Sequence, residues 1–353
     1  MMKCRKLALT RCCLSRTLTP CRGRQVLCLL TLLMASVTLS AVALRMRGSE
    51  APLSLSDFLH ILFPLELAGH RRVPPCALLD GNDTELKGPI DADTDSIPSL
   101  AELEEWLAPS LLPGGLFIPR NCRPSHKIAV IVPFRDRRVH LKIFLRHMHP
   151  FLQRQNLQYG IFIVEQAGDG PFNRALLMNV GYREALLLHP SLDCFIFHDV
   201  DLLPLDDRIR YSCGGQPVHL SANIDVHGNK LMYANLFGGA SMLTKAMMEN
   251  VNGFSNVFFG WGGEDDDMSF RVRSHDMKIT RYNLDIARYT MMRHVRENKN
   301  DRQKLLIDGR KRIHSDGLNS LRYERVRLDL RPLFTLIEVR INQTQVLTDQ
   351  GLL

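Results

Sequence analysis

Asp199 and Asp201 stand two residues apart, just after the apolar run Cys194-Phe195-Ile196-Phe197. Paired carboxylates at such an edge suit a hard cation that bridges a diphosphate. Arg135 and Arg137 follow a second apolar run, Ile128–Val132. Their forked donors complement phosphate charge. Residues 259–267 read Phe-Gly-Trp-Gly-Gly-Glu-Asp-Asp-Asp. Four successive acids repel one another, which a plain surface turn does not require. The glycines let a ligand approach closely, and Trp261 offers a flat apolar face to a sugar or a base. The dipole of a helix from Asp265 to Ser274 would favour some of these acids without accounting for all of them. Met291-Met292-Arg293-His294 adds His294, an imidazole suited to a metal.

Such groups need a scaffold. Ile128–Val132, Gly160–Val164 and Cys194–Phe197 are short continuous apolar runs that read as buried strands. Between them, Leu141, Phe144, Leu145, Met148, Phe151 and Leu152 recur at helical spacing, and Asn173–Leu188 reads as a helix stopped by Pro190. Strand, helix, strand, helix, strand predicts an α/β sheet with a parallel core. Ligands of such sheets sit beyond the carboxyl ends of the strands, where these arginines and carboxylates gather. Val295–Arg312 is polar and highly charged and reads as a mobile loop able to close over a ligand.

The 353 residues allow two domains or one large one, and 45% hydrophobic content supports a folded core. The net charge of +8 is concentrated at one end. Seven of the 45 basic residues and no acid lie in residues 1–25, leaving 38 basic against 37 acidic residues. A body so near neutrality argues against a nucleic-acid partner. Val26–Leu44 then runs without a charge, long enough as a helix, at about 28 Å, to cross a bilayer. The basic excess before it predicts a cytoplasmic tail (1–25), a signal-anchor helix (26–44) and a non-cytosolic remainder. Residues 45–121, proline-rich, read as an extended stem, leaving 122–353 as the body.

Five of nine cysteines lie in the tail or the span. Cys76, Cys122, Cys194 and Cys213 lie beyond it, and an oxidising compartment would allow three pairings. Asn82 and Asn342 open sequons for N-glycosylation.

Seven stretches occur in an order that resembles the β-1,4-galactosyltransferase family of Golgi enzymes. They are VPFRDR (132–137), GPFNRALLMNVGY (170–182), DVDLLP (199–204), YANLFGGAS (233–241), GWGGEDDD (260–267), MMRH (291–294) and SDGLNSL (315–321). The resemblance covers roughly residues 120–340. It implies a GT-A-type fold, with a mostly parallel central sheet flanked by helices, in one lumenal domain of a type II Golgi membrane protein. It implies Mn²⁺-dependent inverting transfer from a UDP-sugar to the 4-hydroxyl of a terminal GlcNAc on a glycolipid or glycoprotein. Carried over by position, Asp201, Met291 and His294 resemble the metal ligands, and Asp265 the catalytic base. Glu264, Asp266 and Trp261 resemble acceptor-binding residues. Arg135, Arg137, Phe172, Arg174, Asp199 and Tyr233 fall on the donor side. The resemblance also implies disulfides Cys76–Cys122 and Cys194–Cys213. A homodimer or an accessory Golgi membrane partner stays open.

One position departs from the galactose-transferring pattern. The segment before Phe237-Gly238-Gly239 ends in Leu236, where those members carry Tyr. In the family that Tyr lies beside the donor's 2-position and disfavours an N-acetyl group. Members with Ile or Leu there accept one, and they are typically the invertebrate enzymes. Leu236 therefore implies UDP-GalNAc as donor and GalNAcβ1-4GlcNAc as product, with UDP-galactose as the alternative.

Overall fold

The structure is a computed structural model and describes residues 74–76, 86–293 and 302–353. The anticipated strands form as β1 (Lys127–Phe134), β2 (Gln158–Gln166) and β3 (Cys194–His198). Later segments supply β4 (Leu202–Pro204), β5 (Val218–His219), β6 (Asn223–Ile224), β7 (Ala240–Thr244), β8 (Arg288–Met291), β9 (Glu324–Leu330) and β10 (Thr335–Arg340). Seven of them make one sheet in the order β5-β7-β3-β1-β2-β10-β9, and β4-β8-β6 make a smaller one. The β3-β1-β2-β10 centre is parallel, and both flanks are antiparallel. The main sheet is thus mixed, with the expected parallel core. Pro133 is tolerated inside β1 because the pairing with β3 stops at Ile131.

Alternation along the strands divides the core in two. Ile128, Val130 and Val132 point to one face, with Tyr159, Ile161 and Ile163 of β2. Ala129, Ile131, Phe162 and Val164 point to the other. The first face is covered by α1 (Leu100–Leu107) and α2 (Arg138–Arg154), through Leu103, Leu107, Phe144, Met148 and Phe151. The second is covered by α3 (Arg174–Leu188), through Leu176, Leu177 and Val180. Each large apolar side chain buried in this way contributes about 1.5–3 kcal/mol. The remaining helices are α4 (Lys245–Asn250), α5 (Glu264–Ser274), α6 (Arg302–Arg312) and α7 (Gln343–Asp349).

Two sequence expectations are corrected. Residues 86–121 are not an extended stem: Leu103 and Leu107 belong to the same core as β1. The charged segment expected to be a loop to Arg312 is helical from Arg302, and residues 294–301 lie outside the described residues. Disulfides join Cys76 to Cys122 and Cys194 to Cys213. Among the described residues no helix is long and apolar enough to cross a membrane. The run 26–44 lies outside them, as does Asn82. Asn342 is exposed and caps α7.

Candidate active site

A cleft of about 350 Å³ opens at the carboxyl ends of β1 and β3. Arg135 and Arg137 enter it from the end of β1, and Asp199 and Asp201 from the end of β3. Arg174 is the first residue of α3, whose N-cap Asn173 accepts a hydrogen bond from the Leu176 amide at 2.9 Å. A cation is disfavoured at a helix N-terminus. Carboxylates hold this one: Arg174 Nε donates to Asp199 Oδ1 at 2.6 Å, and a second nitrogen to Glu264 Oε1 at 3.4 Å. Burial opposes the charge on Arg174, but Asp199 and Glu264 outweigh it and raise its pKa. Burial likewise pushes Asp199 up to about 6, against the pull of Arg174. Arg135 lies over the Phe172 ring at 5.2 Å and donates to Gly170 O. The ring and the carbonyl hold the guanidinium where it lines the cleft.

Asp201 and Met291 meet through the smaller sheet. Leu202 of β4 faces Met291 of β8, and the Met292 amide donates to the Asp201 carbonyl at 2.8 Å. Asp225 fixes the same strand end, accepting from the Met291 amide at 3.1 Å and from Thr290 Oγ1 at 2.6 Å. A neutral histidine lies beneath. His198 is fully buried, contacts Asp199 O and Tyr211 Oη, and burial lowers its pKa to about 4. The carboxylate and thioether therefore reach one cleft on rigid backbone, a placement that fits a metal ion. His294 lies outside the described residues.

The acid run divides by helical phase. Gly263, at φ 96°, caps α5 with no side-chain bond. A Cβ there would meet Phe258 at 2.9 Å, so glycine is required. Glu264, Asp265 and Asp266 line the cleft. Asp267 turns into the core and pairs with the fully buried Arg271 at 2.6 Å. Burial, then repulsion from Glu264 and Asp266, pushes Asp265 up to about 7. Asp266 accepts from Tyr233 Oη at 2.9 Å, and Trp261 is exposed at the mouth. Leu236 lines the same wall, beside Gly238, and a Cβ on Gly238 would stand 2.7 Å from Asp265 Oδ2.

Every described residue assigned in the sequence to donor, acceptor or metal thus lines one cleft. Sequence reasoning missed His219, Ser221, Met232 and Arg302, which line it too. The first three belong to no recognisable motif, and Arg302 was hidden in a segment read as a loop. The chemistry available is an anion site, a cation site, and a carboxylate base with a pKa near neutrality, all open to solvent at one mouth.

Residues 80–214 match the family model for the N-terminal region of glycosyl transferase group 7. Residues 218–295 match the model for the N-terminal domain of galactosyltransferase. β-1,4-Galactosyltransferase 2 of Cricetulus griseus is 44% identical over 247 residues, which cover 69% of this chain and 67% of that protein. β-1,4-Galactosyltransferase 4 of the same species is 47% identical over 230 residues, 64% of this chain and 67% of that protein. Among solved structures, the catalytic domain of Drosophila β-1,4-galactosyltransferase 7 in complex with xylobiose aligns with TM-score 0.54 and 30% identity, over 62% of this chain and 94% of that one. A mutant of the Drosophila enzyme, in complex with manganese, UDP-Gal and xylobiose, aligns with the same TM-score at 29% identity, over the same shares. The chain belongs to the β-1,4-galactosyltransferase family and has its GT-A-like fold.

Proposed function

We propose that this member of the family transfers a sugar, with inversion, from a UDP-sugar to the 4-hydroxyl of a terminal GlcNAc. UDP-galactose is the donor that the relatives' names support. The observation that carries the reading is the meeting of Asp265, Arg174 and the Asp201–Met291 pair in one cleft. Asp265, with a pKa near 7, takes the proton of the acceptor hydroxyl as it attacks the anomeric carbon from the opposite face. Arg135, Arg137 and Arg174 supply positive charge on the side of the departing diphosphate. Glu264 and Asp266 orient the acceptor's hydroxyls, and Trp261 covers a sugar face. Asp201, Met291 and His294 would hold Mn²⁺, which when bound neutralises the diphosphate. No covalent enzyme intermediate is needed, so one carboxylate base suffices.

A second donor reading rests on Leu236, which lines the cleft wall two residues from Gly238. An aliphatic side chain there leaves room for an acetamido group and a methyl for it to pack on, favouring UDP-GalNAc. The uncharged run 26–44 and the two disulfides support a Golgi membrane anchor with the body in the lumen.

The test offers the full-length chain in detergent UDP-galactose and UDP-GalNAc separately, with Mn²⁺ and a GlcNAc-terminated acceptor, and identifies the product linkage. A β1-4 product from either donor supports the reaction. Release of free sugar without acceptor transfer would replace it with hydrolysis.

A further inference from the structure

Arg281 is absent from the cleft lining, yet it holds the wall that faces the donor. Its terminal nitrogen donates to Ala234 O at 2.8 Å and to Leu236 O at 2.7 Å, and its Nε to His219 Nδ1 at 3.1 Å. An arginine nitrogen only donates, so Nδ1 accepts and the imidazole proton sits on Nε2. That proton is donated to Gly238 O at 3.1 Å, an oxygen that also accepts from Ser221 Oγ at 3.2 Å. Burial, then the Arg281 charge, lowers the His219 pKa to about 3, which keeps the ring in this neutral form.

The carbonyls of residues 234, 236 and 238 are therefore held through one guanidinium. The next carbonyl, Gly239 O, accepts from the Asp199 amide at 3.0 Å and from Arg174 at 3.3 Å. Arg281 is itself anchored at its base: Thr280 bridges Val218, and the His219 amide donates to Thr280 O at 2.9 Å. Phe237, buried between the held carbonyls, packs edge-on against His219 at 6.3 Å. Phe237 is the buried side chain of this loop and joins the hydrophobic core, whereas residues 233–235 are exposed. Charge-assisted hydrogen bonds at the Ala234 and Leu236 carbonyls, together with the Phe237 anchor, determine where the Leu236 side chain stands.

We propose that Arg281, acting through His219, is a positioning residue for donor selectivity: it fixes the 233–239 loop so that Leu236 meets the donor sugar in one place. The proposal rests on the UDP-sugar reading of this cleft. It makes selectivity a property of two positions, the side chain at 236 and the clamp behind it.

Arg281→Ala in the full-length chain is the first variant, and Arg281→Lys, which keeps the charge but not the fork, is the second. Three quantities are read: amide hydrogen exchange across 233–239, the ratio of kcat/KM for UDP-GalNAc and UDP-galactose, and the affinity for UDP, which has no sugar. We expect faster exchange in that loop. We expect a change in donor ratio of about tenfold or more for Ala, with UDP affinity within about twofold of the parent. Lys should give a smaller change of the same sign, and added guanidinium should restore the ratio in the Ala variant. An unchanged ratio with faster exchange overturns the proposal, as does unchanged exchange or an equal loss for both donors. Should Ala fail to fold, the Lys variant decides by the same criteria. If the parent transfers neither sugar, the proposed reaction fails. Calorimetric binding of the two UDP-sugars without acceptor then still shows whether Arg281 governs their discrimination.

Discussion

The amide of Met292 donates to the carbonyl of Asp201 at 2.8 Å. The two proposed metal ligands Asp201 and Met291 are thus set side by side by strand pairing between β4 and β8, although they lie far apart in the chain. A site built on paired strands holds its ligands more closely than one built on loops.

That arrangement makes the metal-binding prediction specific. Met291→Ala should weaken Mn²⁺ binding by roughly 10- to 100-fold, and Asp225→Asn, which touches only the strand end, by less. Isothermal titration of Mn²⁺ checks both without any turnover. Chelation should abolish transfer, and added Mn²⁺ should restore it. Equal metal affinity in parent and Met291→Ala would remove Met291 from the ligand set.

Asp265 carries a pH prediction with a definite sign. A base must be ionised, so kcat/KM should fall about tenfold per unit as pH drops below about 7. Stability runs the other way. The folded state holds this proton more tightly than the unfolded chain, so the group's contribution is lost as pH rises from about 4 through about 7. Asp265→Asn should therefore cut kcat by at least about 100-fold while raising Tm at pH 8 by roughly 2–6 °C. Scanning calorimetry beside single-turnover kinetics reads both. A lowered Tm would mean that Asp265 is not held against its own repulsion.

Leu236→Tyr should swing the donor ratio toward UDP-galactose by about tenfold or more, because a ring and a hydroxyl would occupy the space an acetamido group needs. Competition between the two donors on one acceptor measures it. An unchanged ratio would show that Leu236 does not contact the donor's 2-position.

Gly238→Ala places a Cβ 2.7 Å from the Asp265 carboxylate. The carboxylate must shift, and a displacement on the order of 1 Å costs about 100-fold in rate. We expect kcat to collapse with UDP affinity retained. Parent-like kcat would mean that the carboxylate has room to move without consequence.

The central strands and α3 were legible because continuous apolar runs and the stop at Pro190 leave little choice. Legible too was the gathering of Arg135, Asp199 and Asp201 at one sheet edge, since strand ends in a parallel core share a side. Helix α6 was not, because its sequence, RQKLLIDGRKR, is mostly charged. Arg312 nevertheless turns inward, 3.8 Å from the buried Asp316, which also faces Arg271. Buried ion pairs invert the usual pattern of charge outside and apolar residues inside. The register that brings Met291 to Asp201 left no mark in composition, and the clamp of Arg281 on His219 joins residues that belong to no motif. Such links are set by tertiary geometry alone.

Asp265, Asp266 and Asp267 are identical letters in a row, yet each has a separate post: the proposed base in the cleft, the partner of Tyr233, and the partner of Arg271. An α-helix turns by roughly 100° per residue, so gaining or losing one aspartate would leave composition almost untouched and misassign all three. The length of the run is a phase setting between cleft and core.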